Sequence, residues 1–232
     1  MRLSRLLLLA FICFSSLSAP SAVWAFDPMQ TYVSAQFLPP DLLPPPPAEG
    51  SKEWRAQINA VLQAERRATQ ADLAAAVDEQ KMRLELMTSV MGPTFTRDRL
   101  PKTFALLDHV LEGARQVSEA DKKFWHTRRP YLTDKRVKLY VDPIDNSPAY
   151  PSGHTSESLV LAEVLGMLDP DKRPALRVRA AAIARHRIEA GVHYPCDIEG
   201  GRMLAMLIVG SLTGNDDFQD DLAAAKKELR AN

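Results

Sequence analysis

The sequence predicts an all-α fold: one helical bundle preceded by a proline-rich arm. Apolar residues recur at three- and four-residue spacing over most of the chain. No stretch alternates with the two-residue period of a half-buried strand, and breaks such as Gly92-Pro93, Arg129-Pro130 and Asp169-Pro170 separate the periodic stretches.

The first 25 residues are set apart from that bundle. Met1-Arg2-Leu3-Ser4-Arg5 is followed by an apolar run from Leu6 to Phe14 and by small residues leading to Ala25, the pattern of a cleavable signal peptide. The apolar run is too short to span a bilayer, and no later stretch is apolar for long enough. A periplasmic or secreted protein without stable membrane insertion is therefore expected. Removal of residues 1–25 leaves 207 of the 232 residues, enough for one domain with a full core. It also removes Arg2 and Arg5, so the balanced 29 basic and 29 acidic residues become 27 and 29. A formal charge near −2 gives no reason to expect a nucleic-acid polymer as partner. Cys13 leaves with the signal and Cys196 stays alone, which rules out an intrachain disulfide.

Residues 26–50 carry Pro39-Pro40 and Pro44 to Pro47, which favour an extended arm lying over the domain surface. The domain proper spans 51–232. Ser51 followed by Glu53 starts a long helix running to about Lys81. Further helical patterns cover roughly 82–91, 99–116, 119–128, 155–168, 174–190, 198–212 and 216–230. Breaks are expected at Gly92-Pro93, Arg129-Pro130, the loop from Asp142 to Pro151, Asp169-Pro170 and Gly191.

Three short stretches carry chemistry. The first, Lys122 to Pro130, places Lys122 and Arg129 seven residues apart. On a continuous helix, seven steps of ~100° return to nearly the same azimuth, so both cations share a side two turns apart. Pro130 disfavours α conformation at Arg129 and puts that residue where the helix ends. Alone, the stretch reads more readily as a solvated basic face. The second, Tyr150-Pro-Ser-Gly-His-Thr155, precedes a helix whose free N–H groups and dipole favour an anion. Gly153 admits close approach to the main chain and the Ser152 hydroxyl can donate, although plain N-capping by Ser152 with an exposed His154 explains the same residues. The third, Arg187 to Asp197, ends one helix at Gly191 and opens the next at Pro195. His193 then stands four residues before Asp197, whose carboxylate can hold one imidazole nitrogen so that the other presents its lone pair. A capping pair is the plainer alternative for those two residues.

Taken together and in this order, the three stretches resemble the tripartite signature of the phosphatidic acid phosphatase type 2 superfamily. The similarity runs from the Leu42-Leu43-Pro-Pro-Pro-Pro-Ala48 arm to the closing helices and is greatest to the bacterial class A non-specific acid phosphatases. The resemblance implies hydrolysis of small phosphomonoesters without metal or other cofactor. By it His193 is the nucleophile that becomes a phosphohistidine, Asp197 orients it, and His154 is the general acid and then base. Lys122, Arg129, Arg187, Ser152 and Gly153 would hold the non-bridging oxygens. It also implies a homodimer or higher homo-oligomer.

One position departs from that pattern. His186 stands where a serine usually precedes the arginine of the third motif, and it either supplies an imidazole N–H to phosphate or leaves that contact unmade. Pro148-Ala149 also differs from the common pattern before Tyr150. Cys196 is expected to pack rather than react. Glu157 and Glu189 lie near enough in sequence to pair with a pocket cation. Competing readings are a vanadate-binding haloperoxidase, whose chains are longer; a lipid or polyprenyl phosphate phosphatase, whose relatives span membranes; a cation site of His154, His193 and Asp197, which the neighbouring cations would repel; and a non-catalytic phosphate binder.

Overall fold

A computed structural model describes residues 31–143 and 147–231, and residues 1–25, expected to be a signal peptide, lie outside them. The described residues contain helices and turns and no strand. Their helices are α1 (Lys52–Arg67), α2 (Gln70–Asp78), α3 (Thr88–Met91), α4 (Pro101–Trp125), α5 (Pro130–Thr133), α6 (Gly153–Leu168), α7 (Arg173–Glu189), α8 (Pro195–Thr213) and α9 (Asp216–Ala231).

The bundle is organised around α6. Val160, Leu161, Ala162, Val164 and Leu165 are all fully buried there, as suits an element enclosed by neighbours. α4, α7 and α8 pack around it, and α9 closes against α4. Gly200 and Gly201 let α8 approach: a Cβ at Gly200 would lie 2.4 Å from the Tyr150 ring and one at Gly201 2.6 Å from the Ser152 carbonyl. At one end of the bundle the last turns of α4 and α7 meet the first turns of α6 and α8.

The long helix expected over 51–81 is two helices. Ala68 is extended, and Thr69 opens α2 with a reciprocal cap: Thr69 Oγ1 accepts from the Asp72 amide at 3.1 Å, and Asp72 Oδ2 accepts from the Thr69 amide at 2.9 Å. The Ser51 start is as expected, its hydroxyl accepting from the Trp54 amide at 3.0 Å. Conversely, the two patterns at 99–116 and 119–128 are the single 25-residue α4, which ends at His126 in the left-handed region with φ 50°. The pattern over 82–91 resolves into a 3-10 turn, Leu84–Met87, leading into α3.

The described part of the arm, residues 31–50, is stitched into the bundle. Tyr32, Val33, Leu38 and Leu43 are buried, Tyr32 Oη donates to Asp221 of α9 at 2.6 Å, and Tyr150 Oη donates to the Pro44 carbonyl at 2.7 Å.

Candidate active site

A cavity of about 630 Å³ opens where those four helix ends meet, and Lys122, Arg129, Gly153, His154, Arg187 and His193 all line it. The route by which Lys122 and Arg129 arrive differs from the sequence expectation. α4 stops at Trp125, the left-handed His126 turns the chain, and Arg129 is the extended residue capping α5, with φ −73° and ψ 153°. The two cations converge through a turn and not through a shared helical azimuth.

Each histidine has its tautomer set by a neighbour. His193 is 2 % exposed. Its Nδ1 lies 3.2 Å from Asp197 Oδ2 and its Nε2 3.1 Å from an Arg129 N–H, a group that can only donate. Nδ1 therefore carries the proton and Nε2 the lone pair. Asp197 is held in turn by the Tyr194 amide at 2.8 Å. Burial, then the charges of Arg129 and Lys122, push the His193 pKa well below its ordinary value, so the ring is neutral even in acid. Burial also lifts the Asp197 carboxyl to about 7. His154 Nε2 donates to the Glu79 carbonyl at 2.9 Å, which leaves Nδ1 as the atom able to exchange a proton. Burial and the Arg187 charge lower its pKa to about 3.

The cations are equally constrained. Arg129 is 2 % exposed and donates to the Ser147 and Val192 carbonyls at 2.9 and 3.0 Å. Arg187, 1 % exposed, donates to the Ala76 carbonyl and lies 3.7 Å from Glu79 Oε2, while its buried Nε has no partner. A buried guanidinium N–H left unbonded at a cavity wall is a donor waiting for an anion. Lys122 Nζ donates to Glu119 at 2.8 Å. A Cβ at Gly153 would meet Lys122 Nζ, Glu157 Oε1 and Ser118 Oγ, each at 3.2 Å, so the glycine keeps a small polar cradle open.

Ser152 and His186 sit differently from the phosphate-holding expectation. Ser152 is fully buried as the cap of α6, its Oγ accepting from the Thr155 hydroxyl at 3.0 Å, and it is not in the cavity wall. His186 faces away from the cavity, its Nδ1 2.7 Å from Glu79 Oε2, so of its two alternatives the unmade contact is the one found. Glu189 pairs with Arg185 at 3.1 Å and not with a pocket cation, whereas Glu157 does line the cavity. Cys196 Sγ donates to Asp197 at 3.7 Å and burial raises its pKa, which keeps the thiol protonated.

Glu79, which the sequence reading passed over, holds much of this wall. Fully buried at the end of α2, it accepts from Arg179 at 2.5 Å and from His186, lies beside Arg187, and gives its carbonyl to His154. No sequence signal marks it, because its partners are 75 to 108 residues away.

Three cations around an open cavity, with an oriented imidazole behind them, make a site whose charge and donors suit an anion. Residues 106–215 match the PAP2 superfamily. The chain is 27% identical to a non-specific acid phosphatase of Providencia stuartii, over 81% of this chain and 79% of that one. It is 25% identical to a non-specific acid phosphatase of Salmonella typhi, over 88% and 83% of the two chains. An acid phosphatase of Zymomonas mobilis subsp. mobilis is 29% identical over 56% of this chain and 51% of its own. Among the described residues no helix is long and apolar enough to cross a membrane.

Proposed function

We propose that the protein is a periplasmic or secreted acid phosphatase that hydrolyses a broad range of small phosphomonoesters through a phosphohistidine, without a metal. The observation that carries this reading is the pairing of His193 with Asp197 on one side and Arg129 on the other. It yields a neutral nucleophile with its lone pair aimed into a cationic cavity at acid pH. The acid phosphatase relatives and the PAP2 match support the reaction class.

In the first half-reaction the phosphate group displaces Arg129 from Nε2, and its non-bridging oxygens take the Arg129, Arg187, Lys122 and Gly153 N–H donors. The Nε2 lone pair attacks phosphorus in line, and the bond to the leaving oxygen breaks. His154 Nδ1 gives that oxygen a proton. Burial first, and then the Arg187, Lys122 and Arg129 charges, keep His154 unprotonated, and the bound phosphate's negative charge offsets those cations. The resulting phosphoimidazolium bears a positive charge, which Asp197 stabilises through Nδ1. In the second half-reaction His154 takes a proton from water, the hydroxide attacks phosphorus, and the P–N bond breaks to restore His193. Lys122, Arg129 and Arg187 supply the charge stabilisation that phosphoryl transfer chiefly requires.

The test is to quench the enzyme with labelled aryl phosphate during turnover at low pH. An acid-labile, base-stable phosphoryl group on the His193 peptide is expected, absent in His193→Ala, with turnover unaffected by chelators and inhibited by vanadate. Label on a serine or cysteine would overturn the mechanism. We further propose that the protein works as a homodimer or larger homo-oligomer, which sedimentation of the mature chain tests.

A further inference from the structure

Away from the cavity, on the outer side of α7, Asp72 of α2 meets His186 and Glu189. One ligating atom from each lies within 4.8 Å of the others. We propose that these three residues form a binding site for a divalent transition-metal ion of the zinc class, separate from the phosphate cavity and occupied in competition with the Arg185 side chain.

The imidazole is prepared as a ligand. His186 Nδ1 lies 2.7 Å from Glu79 Oε2, and Nε2 lies 3.2 Å from an Arg185 N–H, which can only donate. Nδ1 therefore bears the proton and Nε2 points its lone pair toward Asp72 Oδ1, 3.7 Å away. A carboxylate behind the far nitrogen is the arrangement that orients metal-bound histidines and raises their basicity. Asp72 is also fixed: its Oδ2 accepts from the Thr69 amide and hydroxyl at 2.9 and 2.6 Å, leaving Oδ1 to face the imidazole.

Glu189 supplies the independent sign that a ligand belongs here. Three residues after His186 on α7, it shares that helix face, and it is 6 % exposed. Its Oε2 has no hydrogen-bond partner, and burial raises its pKa. A buried carboxylate oxygen without a donor is costly unless a cation serves it.

The seat already attracts positive charge. Arg185 reaches in with Nε 3.1 Å from Glu189 Oε1 and an N–H 2.9 Å from Asp72 Oδ1. Its side chain is 55% exposed, so it can swing into solvent as the metal enters. One imidazole nitrogen and two carboxylate oxygens suit zinc, with a water completing four-coordination.

The test titrates zinc chloride into the chelator-treated mature chain at neutral pH by calorimetry, with cobalt(II) absorption reporting the ligand field. One equivalent per chain is expected. His186→Ser and Glu189→Gln should each weaken binding by more than about tenfold. Arg185→Ala, an exposed truncation, should tighten it, which a merely structural cluster would not do. Three results would overturn the site: no binding by either wild type or Arg185→Ala, binding unchanged in both ligand variants, or binding lost in His193→Ala but kept in His186→Ser. The readout is binding alone, so it stands apart from whether the phosphatase mechanism holds.

Discussion

Replacing Glu157 by glutamine should change the pH dependence of catalysis and little else. The carboxyl is buried on α6 one turn beyond Gly153, and burial lifts its pKa to about 7 against the pull of Arg115 and Lys122. Its Oε1 and Lys122 Nζ both lie 3.2 Å from the same point above Gly153, so they are no more than 6.4 Å apart. A phosphate oxygen held by that lysine and the Gly153 amide is taken at about 6 Å from the carboxylate, near that upper bound, for the Coulomb term. At an effective dielectric of ~40, intermediate between bulk water and a protein surface, two unit charges at that distance repel by ~1.4 kcal/mol, about tenfold in kcat/KM. Below pH 7 Glu157 is neutral and causes no repulsion; above it the charge opposes the substrate and partly neutralises Lys122. Wild type and Glu157→Gln should therefore match at pH 5, while the variant is about tenfold better at pH 8. The assay is kcat/KM for an aryl phosphate across this range, reported as the ratio of the two enzymes so that the substrate's own ionisation cancels. A ratio that stays constant with pH would refute the reasoning.

Three further outcomes follow from the same geometry. Gly153→Ala places a methyl 3.2 Å from Lys122 Nζ, Glu157 Oε1 and Ser118 Oγ, side-chain ends that can give way, so the fold should survive while KM rises by about tenfold. Asp197→Asn retains an acceptor for the Tyr194 amide but no longer fixes the His193 proton on Nδ1, and kcat should fall by about a thousandfold with near-native thermal unfolding. Glu79→Gln strands Arg187 and Arg179 and should cost ~3 kcal/mol in denaturant unfolding at neutral pH. Burial raises the Glu79 pKa, but the His186 and Arg179 hydrogen bonds outweigh it, so the folded pKa lies below 4.5. The wild-type stability from this group is then present above pH 4.5 and fades as pH falls through the folded pKa, so the gap to Glu79→Gln should narrow in strong acid.

Much of the bundle was readable because its cues are local. The Ser51 cap, the helix beginning at the Pro-Ser-Gly-His stretch and the glycine at 191 all act within one turn of chain. The split of α1 from α2 also had a local cue, Thr69 with Asp72 three residues on, but helix-forming residues on both sides masked it. The join of the two patterns in α4 had none, since continuity across Val117 to Ser118 is set by burial against α6.

The site divides along the same line. The sequence by itself picked out the candidates, His193 with Asp197, His154, and the cations at 122, 129 and 187, because the resemblance is carried by residue types and spacings within each stretch, which are short-range facts. Only the tertiary structure decided how they are placed. It turned Arg129 onto His193 through a left-handed residue, used Ser152 as a cap, and aimed His186 away from the cavity. It also brought Glu79 beneath His154 and Arg187 from a distant helix. Those choices depend on which buried polar groups find partners across the folded core, and such pairings leave no periodicity in the chain.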